Sequence, residues 1–342
     1  MKKLIVLVAA MALVATSAYA AEWNFYGSAR VSTFWNTIER TAVPAVADVD
    51  AFTEGLQGNA RIGAKVKASD ELTGGFEYGA AGGNANIRKL YGEWNFGGGS
   101  LLVGQTYTPL NMFYSNQVYG ADSDLLGWGG VYSGRQAMLQ LKYAGFKVAL
   151  TPANTGINFA AVSTEIQMPA IEASYALKMG NFALALAGGY QTFEVTTAPA
   201  ITYDVDSYVV ALGASVNLGA FYINGDIWTG QNASNLIWAD AAGTAVRAGL
   251  AGTTLLDNDS LGYLLVIGGK INDMFSVEFG YAGLSAELDG ALIDEDSETY
   301  YAQATIHLAP GVFVVPEVGV TDYDGTLDQK ETYFGAKWQI NF

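Results

Sequence analysis

The last ten residues of the sequence, 333–342, alternate between two kinds of side chain. Every second one is apolar or aromatic: Phe334, Ala336, Trp338, Ile340 and Phe342. The positions between them carry small or polar groups, including Lys337 and Gln339. Successive side chains of a β-strand point to opposite faces, so this period of two predicts a strand with one apolar and one polar face. A soluble sandwich would explain the alternation equally well, but the aromatic residue at position 342 favours a membrane barrel.

The first twenty residues have the layout of a secretory signal peptide. Lys2 and Lys3 precede an apolar run over residues 4–14, and Ala18-Tyr19-Ala20 matches the small-residue cleavage pattern. The alternative is a membrane anchor, but the run is shorter than the about 20 apolar residues that span a bilayer. We therefore predict export, with residues 1–20 removed and Ala21 left as the first residue of the mature chain.

Charge and cysteine content exclude several classes of protein. Without Lys2 and Lys3, 15 basic and 33 acidic residues remain, a formal net charge of −18, which disfavours binding of nucleic acid through a basic patch. The sequence has no cysteine, so disulfides and thiolate metal sites are excluded, and no motif predicts a cofactor. No apolar run in the mature chain is long enough for a membrane helix. Its apolar residues are instead spread over alternating positions.

Short turns and long connections follow one another along the chain. An aromatic residue comes directly after most of the short turns: Phe76, Phe146, Phe182, Phe221, Phe275 and Phe313. The other connections are mostly longer, polar and acidic, and include residues 38–56, 108–134, 230–259 and 287–296. Short turns at one end, long loops at the other and aromatic residues near the short turns are typical of outer-membrane β-barrels.

Between these connections the pattern predicts sixteen strands. We place them near 23–37, 57–68, 74–83, 87–96, 101–107, 135–143, 146–155, 170–178, 182–194, 207–217, 220–229, 260–270, 274–286, 298–308, 312–323 and 330–342. A basic side chain facing lipid at mid-depth costs about 2–4 kcal/mol, so the polar faces must line an interior, which sixteen strands leave wide enough for water. Phe313 is out of phase with its strand, so either a bulge resets the register or Phe313 faces inward.

Several motifs resemble those of the trimeric general porins of bacterial outer membranes. They are Phe25-Tyr26-Gly27 in the first strand, Arg61-Ile62-Gly63-Ala64-Lys65 in the second, Glu71-Leu72-Thr73-Gly74-Gly75-Phe76 at the first turn, and Leu102-Val103-Gly104-Gln105-Thr106-Tyr107 in the fifth. The resemblance covers the whole mature chain. It implies an all-β fold, a transmembrane antiparallel barrel of about 16 strands with short periplasmic turns and long external loops. It also implies that the third loop, residues 108–134, folds into the pore.

The same resemblance implies a pore constriction. Asp122 and Asp124 would lie on the inward-folded loop and face a basic wall of Arg61 and Lys65, together with Arg30, Lys89 and Arg135. Gln105 stands where the family commonly has another pore arginine, and the register after Arg135 is one residue longer than usual. Opposed charges across a narrow gap create a transverse field that sets ion preference. The family's closure would pair the amine of Ala21 with the carboxylate of Phe342.

The resemblance also implies partners. They are two further copies in a homotrimer, outer-membrane lipid and lipopolysaccharide, the barrel assembly machinery acting on the closing strand, and small hydrophilic solutes and ions. The second external loop, Asn84-Ala85-Asn86, is short, so trimer contacts would rest on the barrel wall. The acidic stretch Asp294-Glu295-Asp296 with Glu298 is either a solvated loop or a Ca²⁺ site.

Three functions remain open from the sequence. The first is a general diffusion porin. The second is a substrate-selective porin in which Tyr107, Phe113, Tyr114 and Tyr119 line a track for sugars or similar solutes. The third is a plugged structural or adhesive barrel. An enzyme is not predicted: outer-membrane phospholipases use a Ser/His pair, and by strand alternation the only histidine, His307, faces the lumen rather than lipid.

Overall fold

The computed structural model describes residues 21–40, 47–290 and 294–342. Within these ranges, eighteen strand segments occupy sixteen positions of one closed antiparallel sheet, here numbered β1–β16. The first eight are β1 Glu22–Arg40, β2 Val49–Leu56 and Arg61–Lys67, β3 Leu72–Gly79, β4 Asn86–Asn95, β5 Gly99–Tyr107, β6 Arg135–Tyr143, β7 Phe146–Thr151, and β8 Ser163–Glu165 and Ala170–Met179. The others are β9 Phe182–Thr197, β10 Ile201–Leu218, β11 Phe221–Gln231, β12 Asn258–Lys270, β13 Phe275–Leu288, β14 Glu295–Ala309, β15 Val312–Asp324 and β16 Gln329–Asn341.

The sheet closes where β16 pairs with β1, from Ser28 opposite Asn341 to Arg40 opposite Gln329. Beyond this ladder, Gly27 and Phe342 exchange two backbone hydrogen bonds of 2.7 and 3.1 Å. The predicted pairing of Ala21 with Phe342 is therefore wrong. β1 extends five residues before Gly27, back to Glu22, and there it pairs with β2, with Glu22 opposite Lys67. A closed barrel leaves no strand edge without a partner, which a lipid environment requires.

Alternation within the strands sorts side chains between the two faces, as the sequence predicted. Large apolar side chains on the outer face remain more than 50% exposed, among them Phe25, Ile62, Leu90, Val103 and Leu139. Exposed aromatic rings near the short turns include Trp23, Trp94, Phe146, Phe221 and Phe342. Such an outer surface suits contact with lipid. Within the described ranges, no helix is both long enough and apolar enough to cross a membrane.

The first hairpin extends further than predicted. The segment assigned to a long loop at 38–56 contains the end of β1 and the first part of β2, which pair from Val31–Leu56 to Ile38–Val49. Trp35 packs on Phe52 across this hairpin at 4.6 Å between ring centroids, and such aromatic cross-strand pairs stabilise sheets. The strand predicted at 57–68 begins at Arg61 instead, because Gln57–Ala60 form a turn.

Two external loops fold into the barrel. The third loop (residues 108–134) contains a short helix, Tyr119–Asp122. The sixth loop (residues 232–257) contains a 3₁₀ turn, Ala233–Asn235, and two small hairpins, Asp240–Ala241 with Thr244–Ala245 and Gly249–Ala251 with Thr254–Leu256. A further 3₁₀ turn, Ala81–Gly83, connects β3 to β4.

The largest apolar core lies inside the barrel, against the wall formed by β8–β11 and β13. Leu110, Met112 and Val131 of the third loop pack there on Leu236 and Ile237 of the sixth. The wall contributes Trp228, whose indole N–H donates to the carbonyl of Gly129 at 2.8 Å. Residues 230–259 form a long connection, as predicted, but several of its apolar residues, among them Leu236, Ile237 and Val246, are buried in the lumen. Apolar side chains of the two loops and of the wall therefore pack together on this side of the interior.

The out-of-phase Phe313 faces inward. It packs against the second apolar cluster, which includes Val315 and Tyr333, and its ring lies 5.8 Å from that of His307. A register shift between His307 and Ala309 in the facing strand accompanies this arrangement. Both alternatives considered for Phe313 thus occur together, with the bulge in the neighbouring strand β14.

Candidate functional site

A cavity of about 750 Å³ lies between the third loop and the wall on the open side of the lumen. Of the described residues, six basic side chains line it: Arg30, Arg61, Arg88, Arg135, Lys270 and Lys337. Three acidic side chains line it as well: Asp122, Asp124 and Glu278. They sit on β1, β2, β4, β6, β12, β13, β16 and the third loop, so barrel closure and loop infolding together assemble the site.

Asp122 is the point where the third loop meets the basic wall. Its carboxylate forms an ion pair with Arg30 and another with Lys337, whose Nζ lies 2.9 Å from Oδ1. Asn59, in the turn that interrupts β2, donates to Oδ2 at 2.7 Å. The side chains of Arg30, Lys337 and Asp122 are all at most 13% exposed. One carboxylate therefore offsets two cations at the surface of the cavity.

A second buried carboxylate, Glu77, organises the wall itself. Oε1 of Glu77 accepts from Arg88 Nε at 2.7 Å and lies 3.8 Å from Arg61, while Lys89 Nζ lies 3.4 Å from Oε2. Arg88 and Lys89 are neighbours in sequence, yet both reach Glu77. A bulge explains this, because the pairing of β3 with β4 skips Arg88 between Glu77–Lys89 and Tyr78–Ile87.

Asp124 has a different environment from Asp122. Within the described part of the chain it forms no hydrogen bond and no ion pair. Burial raises the pKa of the Asp124 carboxyl well above its usual range, and the negative charge of Asp122 adds to the effect. Asp122 and Asp124 also have unusual backbone, with φ of +62° at Asp122 and +53° at Asp124, and the flanking residues Ala121 and Leu125 share it. Left-handed backbone at non-glycine residues is costly and persists only where the surroundings enforce it.

Three inward-facing glutamates enforce the position of the third loop. Glu317 of β15 accepts from the backbone N–H groups of Val118 and Tyr119 at 2.6 and 3.0 Å. Glu278 of β13 accepts from the N–H of Asn116 at 2.8 Å, and Glu172 of β8 from that of Leu110 at 3.0 Å. These hydrogen bonds to side-chain carboxyl oxygens, called here the carboxylate latch, stabilise a loop with little regular structure of its own.

Aromatic rings cover the part of the cavity next to Arg135. The rings of Tyr107, Phe113 and Tyr132 meet edge to face. The centroid of Phe113 lies 4.9 Å from that of Tyr107 and 6.1 Å from that of Tyr132, and the two tyrosine rings are 6.4 Å apart. Arg135 donates to the hydroxyl of Tyr107 at 2.8 Å, and its guanidinium carbon lies 5.1 Å from the centre of that ring. Lys89 lies 5.3 Å from the same ring. This corner combines positive charge with apolar ring surface.

Comparison with known proteins decides the family. The family model described as Gram-negative porin matches residues 7–326. The chain belongs to the Gram-negative porin family. Among curated proteins, no sequence is similar enough to count as a relative of this porin.

Solved structures agree with this assignment at the level of the fold. The outer membrane channel DcaP of Acinetobacter baumannii superposes with a TM-score of 0.76 at 16% identity, covering 95% of this chain and 99% of that one. OmpT of Vibrio cholerae in its trimer form superposes with a TM-score of 0.60 at 17% identity, covering 94% of this chain and 100% of that one. The anion-selective porin of Comamonas acidovorans superposes with a TM-score of 0.61 at 12% identity, covering 94% of this chain and 100% of that one. Membership of the Gram-negative porin family makes the protein an outer-membrane channel for passive diffusion of small solutes.

The predicted constriction residues fall into two groups in this porin. Asp122, Asp124, Arg30, Arg61 and Arg135 line the cavity, and Lys89 joins the wall through Glu77. Lys65 and Gln105 do not line it. Lys65 shares a strand face with Arg61 but lies nearer the short-turn end, opposite Asn24 and Gly75. Gln105 pairs with the outward-facing Leu90 and donates to the carbonyl of Ile87, so it lies on the outer face.

Sequence reasoning missed Arg88, Lys337, Glu77 and Asn59. A signal existed for Lys337, because it lies on the polar face of the last strand, which a closed barrel brings next to Arg30. No signal existed for Arg88, since strict alternation points it outward once Lys89 points inward. Of the aromatic residues considered for a solute track, Tyr107 and Phe113 line the cavity. Tyr119 instead stacks on Tyr333 at 3.8 Å, away from the open space.

Proposed function

We propose that this porin is an open diffusion channel that prefers anions, with its narrowest part between the third loop and the basic wall. The charge balance at the cavity supports this: among the described residues, twice as many basic as acidic side chains line it. Burial raises the pKa of Asp124 well above its usual range, which weakens the negative contribution of the third loop at this point. Solutes passing this point meet guanidinium and ammonium groups that attract anions.

The negative charge of the whole chain does not oppose this proposal. Many of its carboxylates lie in external loops or at strand ends, such as Glu287, Asp289 and Asp324, which are exposed. Charges separated by more than about 8 Å are largely screened at physiological ionic strength. Ion preference is therefore set by the groups nearest the solute path.

We further propose that the porin is exported through its signal peptide and assembles as a homotrimer in contact with lipid and lipopolysaccharide. Residues 1–20 lie outside the described residues. The support for a trimer is family membership and the trimer form of the similar OmpT. The connection between β3 and β4 is a single short turn, so we expect subunits to meet through their barrel walls.

Neither metal binding nor catalysis is part of the proposal. Among the described residues, no group of three or more histidine or acidic side chains is arranged to hold a metal ion. Glu295 is instead engaged by Thr326, whose N–H lies 3.0 Å from Oε2. His307 lies in the cavity wall beside the ring of Phe313.

Single-channel recording in a planar bilayer under a KCl gradient tests the proposal. We expect a stable open conductance and a reversal potential whose sign reports chloride preference. Openings in groups of three would support the trimer. A reversal potential of the opposite sign would contradict anion preference, and a folded barrel without conductance would favour the plugged alternative.

A further inference from the structure

Arg135 differs from the other basic residues of the cavity in its partners. Arg30 and Lys337 pair with Asp122, Arg61 and Arg88 with Glu77, and Lys270 with Asp273. Arg135 has no carboxylate partner in the described part of the chain. Its contacts are the hydroxyl and the ring face of Tyr107. It is half-buried and lines the cavity. A guanidinium held in place by a neutral group retains donors for an incoming anion.

The rings around Arg135 leave apolar surface open to the cavity. Phe113 is 46% exposed although it stands in the third loop between Tyr107 and Tyr132. An exposed aromatic ring facing a wet lumen offers a stacking or edge-to-face partner to another ring, an arrangement worth about 0.5–1.5 kcal/mol beyond area burial. The neighbouring Lys89 adds a second positive charge over the ring of Tyr107.

We propose that Arg135, Tyr107, Phe113 and Tyr132 form a binding site for aromatic carboxylates inside the channel. Arg135 pairs with the carboxylate through the two parallel hydrogen bonds that a guanidinium offers, and Phe113 contacts the ring of the solute. The cavity of about 750 Å³ is large enough for such a molecule. This inference rests on the proposed function, because only an open channel that admits anions delivers the solute to the site.

Saturable block of the chloride current tests the site. Benzoate is added to the parent porin in a planar bilayer, with cyclohexanecarboxylate and acetate as anions without an aromatic ring. We expect benzoate to reduce the current along a saturating curve, at concentrations well below those at which either control anion acts. Equal effects of benzoate and cyclohexanecarboxylate would overturn the proposal, as would a benzoate effect that stays linear in concentration.

Variants locate the binding site. Loss of the bidentate pair in Arg135→Gln should raise the half-blocking benzoate concentration by about tenfold or more. Arg135→Lys keeps the charge but loses the two parallel donors of the guanidinium. Its half-blocking benzoate concentration should therefore fall between those of the parent and of Arg135→Gln. Phe113→Leu keeps apolar volume, and it should weaken the block by benzoate while leaving the effect of acetate unchanged. Lys178→Gln removes an exposed charge of β8 that does not line the cavity, and it should leave block unchanged.

The outcomes separate this inference from the proposed function. Chloride preference with no saturable benzoate block, or with block that Arg135→Gln leaves intact, overturns the aromatic-carboxylate site and keeps the anion-preferring channel. A cation-preferring reversal potential in the parent porin overturns the proposed function instead, and the site with it.

Discussion

Asp122 and Asp124 stand two residues apart, yet their side chains have opposite electrostatic surroundings. Asp122 forms ion pairs with Arg30 and Lys337 and accepts a hydrogen bond from Asn59. Asp124 is buried without such partners, and burial favours its protonated form. Their spacing in the sequence carries no hint of this difference, because it depends on which side chain reaches the wall. At the residue scale, ion preference follows from partners rather than from residue type.

The two aspartates can be compared by replacing each with asparagine. Asp122→Asn frees two cations, so anion preference should rise by roughly fivefold, since a unit charge at about 4 Å is worth about 1 kcal/mol in water. Asp124→Asn should change the reversal potential less than Asp122→Asn does, because the raised pKa of Asp124 favours its neutral form. Raising the pH favours deprotonation of Asp124, so a loss of anion preference from this group should occur in the parent and not in Asp124→Asn. Reversal potentials of the parent and both variants over a pH series test this. Equal effects of both substitutions at every pH would contradict it.

Part of the site is readable in the sequence and part is not. Alternation placed Arg61 on a polar, inward face, the resemblance to porins added Arg30, and the length and position of segment 108–134 marked the third loop. Alternation fails at Arg88, where the bulge in β4 turns two consecutive side chains inward. It also gives no information on loops, so the burial of Leu236 and Ile237 inside the barrel was not predicted. The strands are specified by a local period, whereas loop infolding depends on contacts distant in sequence.

At the scale of elements, the third loop depends on the carboxylate latch. Glu317 alone receives two backbone N–H groups and the hydroxyl of Tyr333 at 3.0 Å. Glu278 also receives the side-chain amide of Asn116 at 2.6 Å. A buried acceptor that is removed leaves its donors unsatisfied, at a cost of about 1–3 kcal/mol. The loop is thus positioned by the wall rather than by its own short helix.

Truncation of the latch should loosen the loop. Glu317→Ala should lower the free energy of unfolding by about 1–3 kcal/mol and produce a noisier, higher single-channel current. Glu317→Gln keeps one acceptor and should give a smaller change. Glu287→Gln, an exposed residue at the end of β13, is the matched control. Unfolding in detergent and current noise are the measurements, and a quiet Glu317→Ala channel with parental conductance would count against the latch.

At the scale of the whole molecule, the lumen is divided unequally. The third and sixth loops pack together against one side, where the described core includes Leu110, Trp228 and Leu236. The open cavity extends from β1, β2, β4 and β16 around to β11–β15, and the third loop and Trp238 of the sixth loop also line it. The width of this open space therefore depends on two loops rather than one.

Removal of the sixth loop should widen the channel. Asn232 and Asn258 are hydrogen-bonded at 2.8 Å, so a short Gly-Ser linker can replace residues 233–256 without moving β11 or β12. We expect a higher conductance and a lower free energy of unfolding, because each buried Leu or Ile contributes about 1.5–3 kcal/mol. The same linker inserted at residues 325–328 serves as control. An unchanged conductance in the shortened protein would show that the sixth loop lies outside the solute path.

The bulge at Arg88 has a consequence for how such a channel diversifies. Arg88 is the extra residue between two regular pairs, so its loss would leave Glu77 opposite Lys89 and Tyr78 opposite Ile87. Every other side chain would keep its face, and the lumen would lose one positive charge. Deletion of the single codon for Arg88 would thus remove one positive charge from the pore. Insertion or deletion of a codon elsewhere in a strand would instead move the following side chains of that strand to the opposite face.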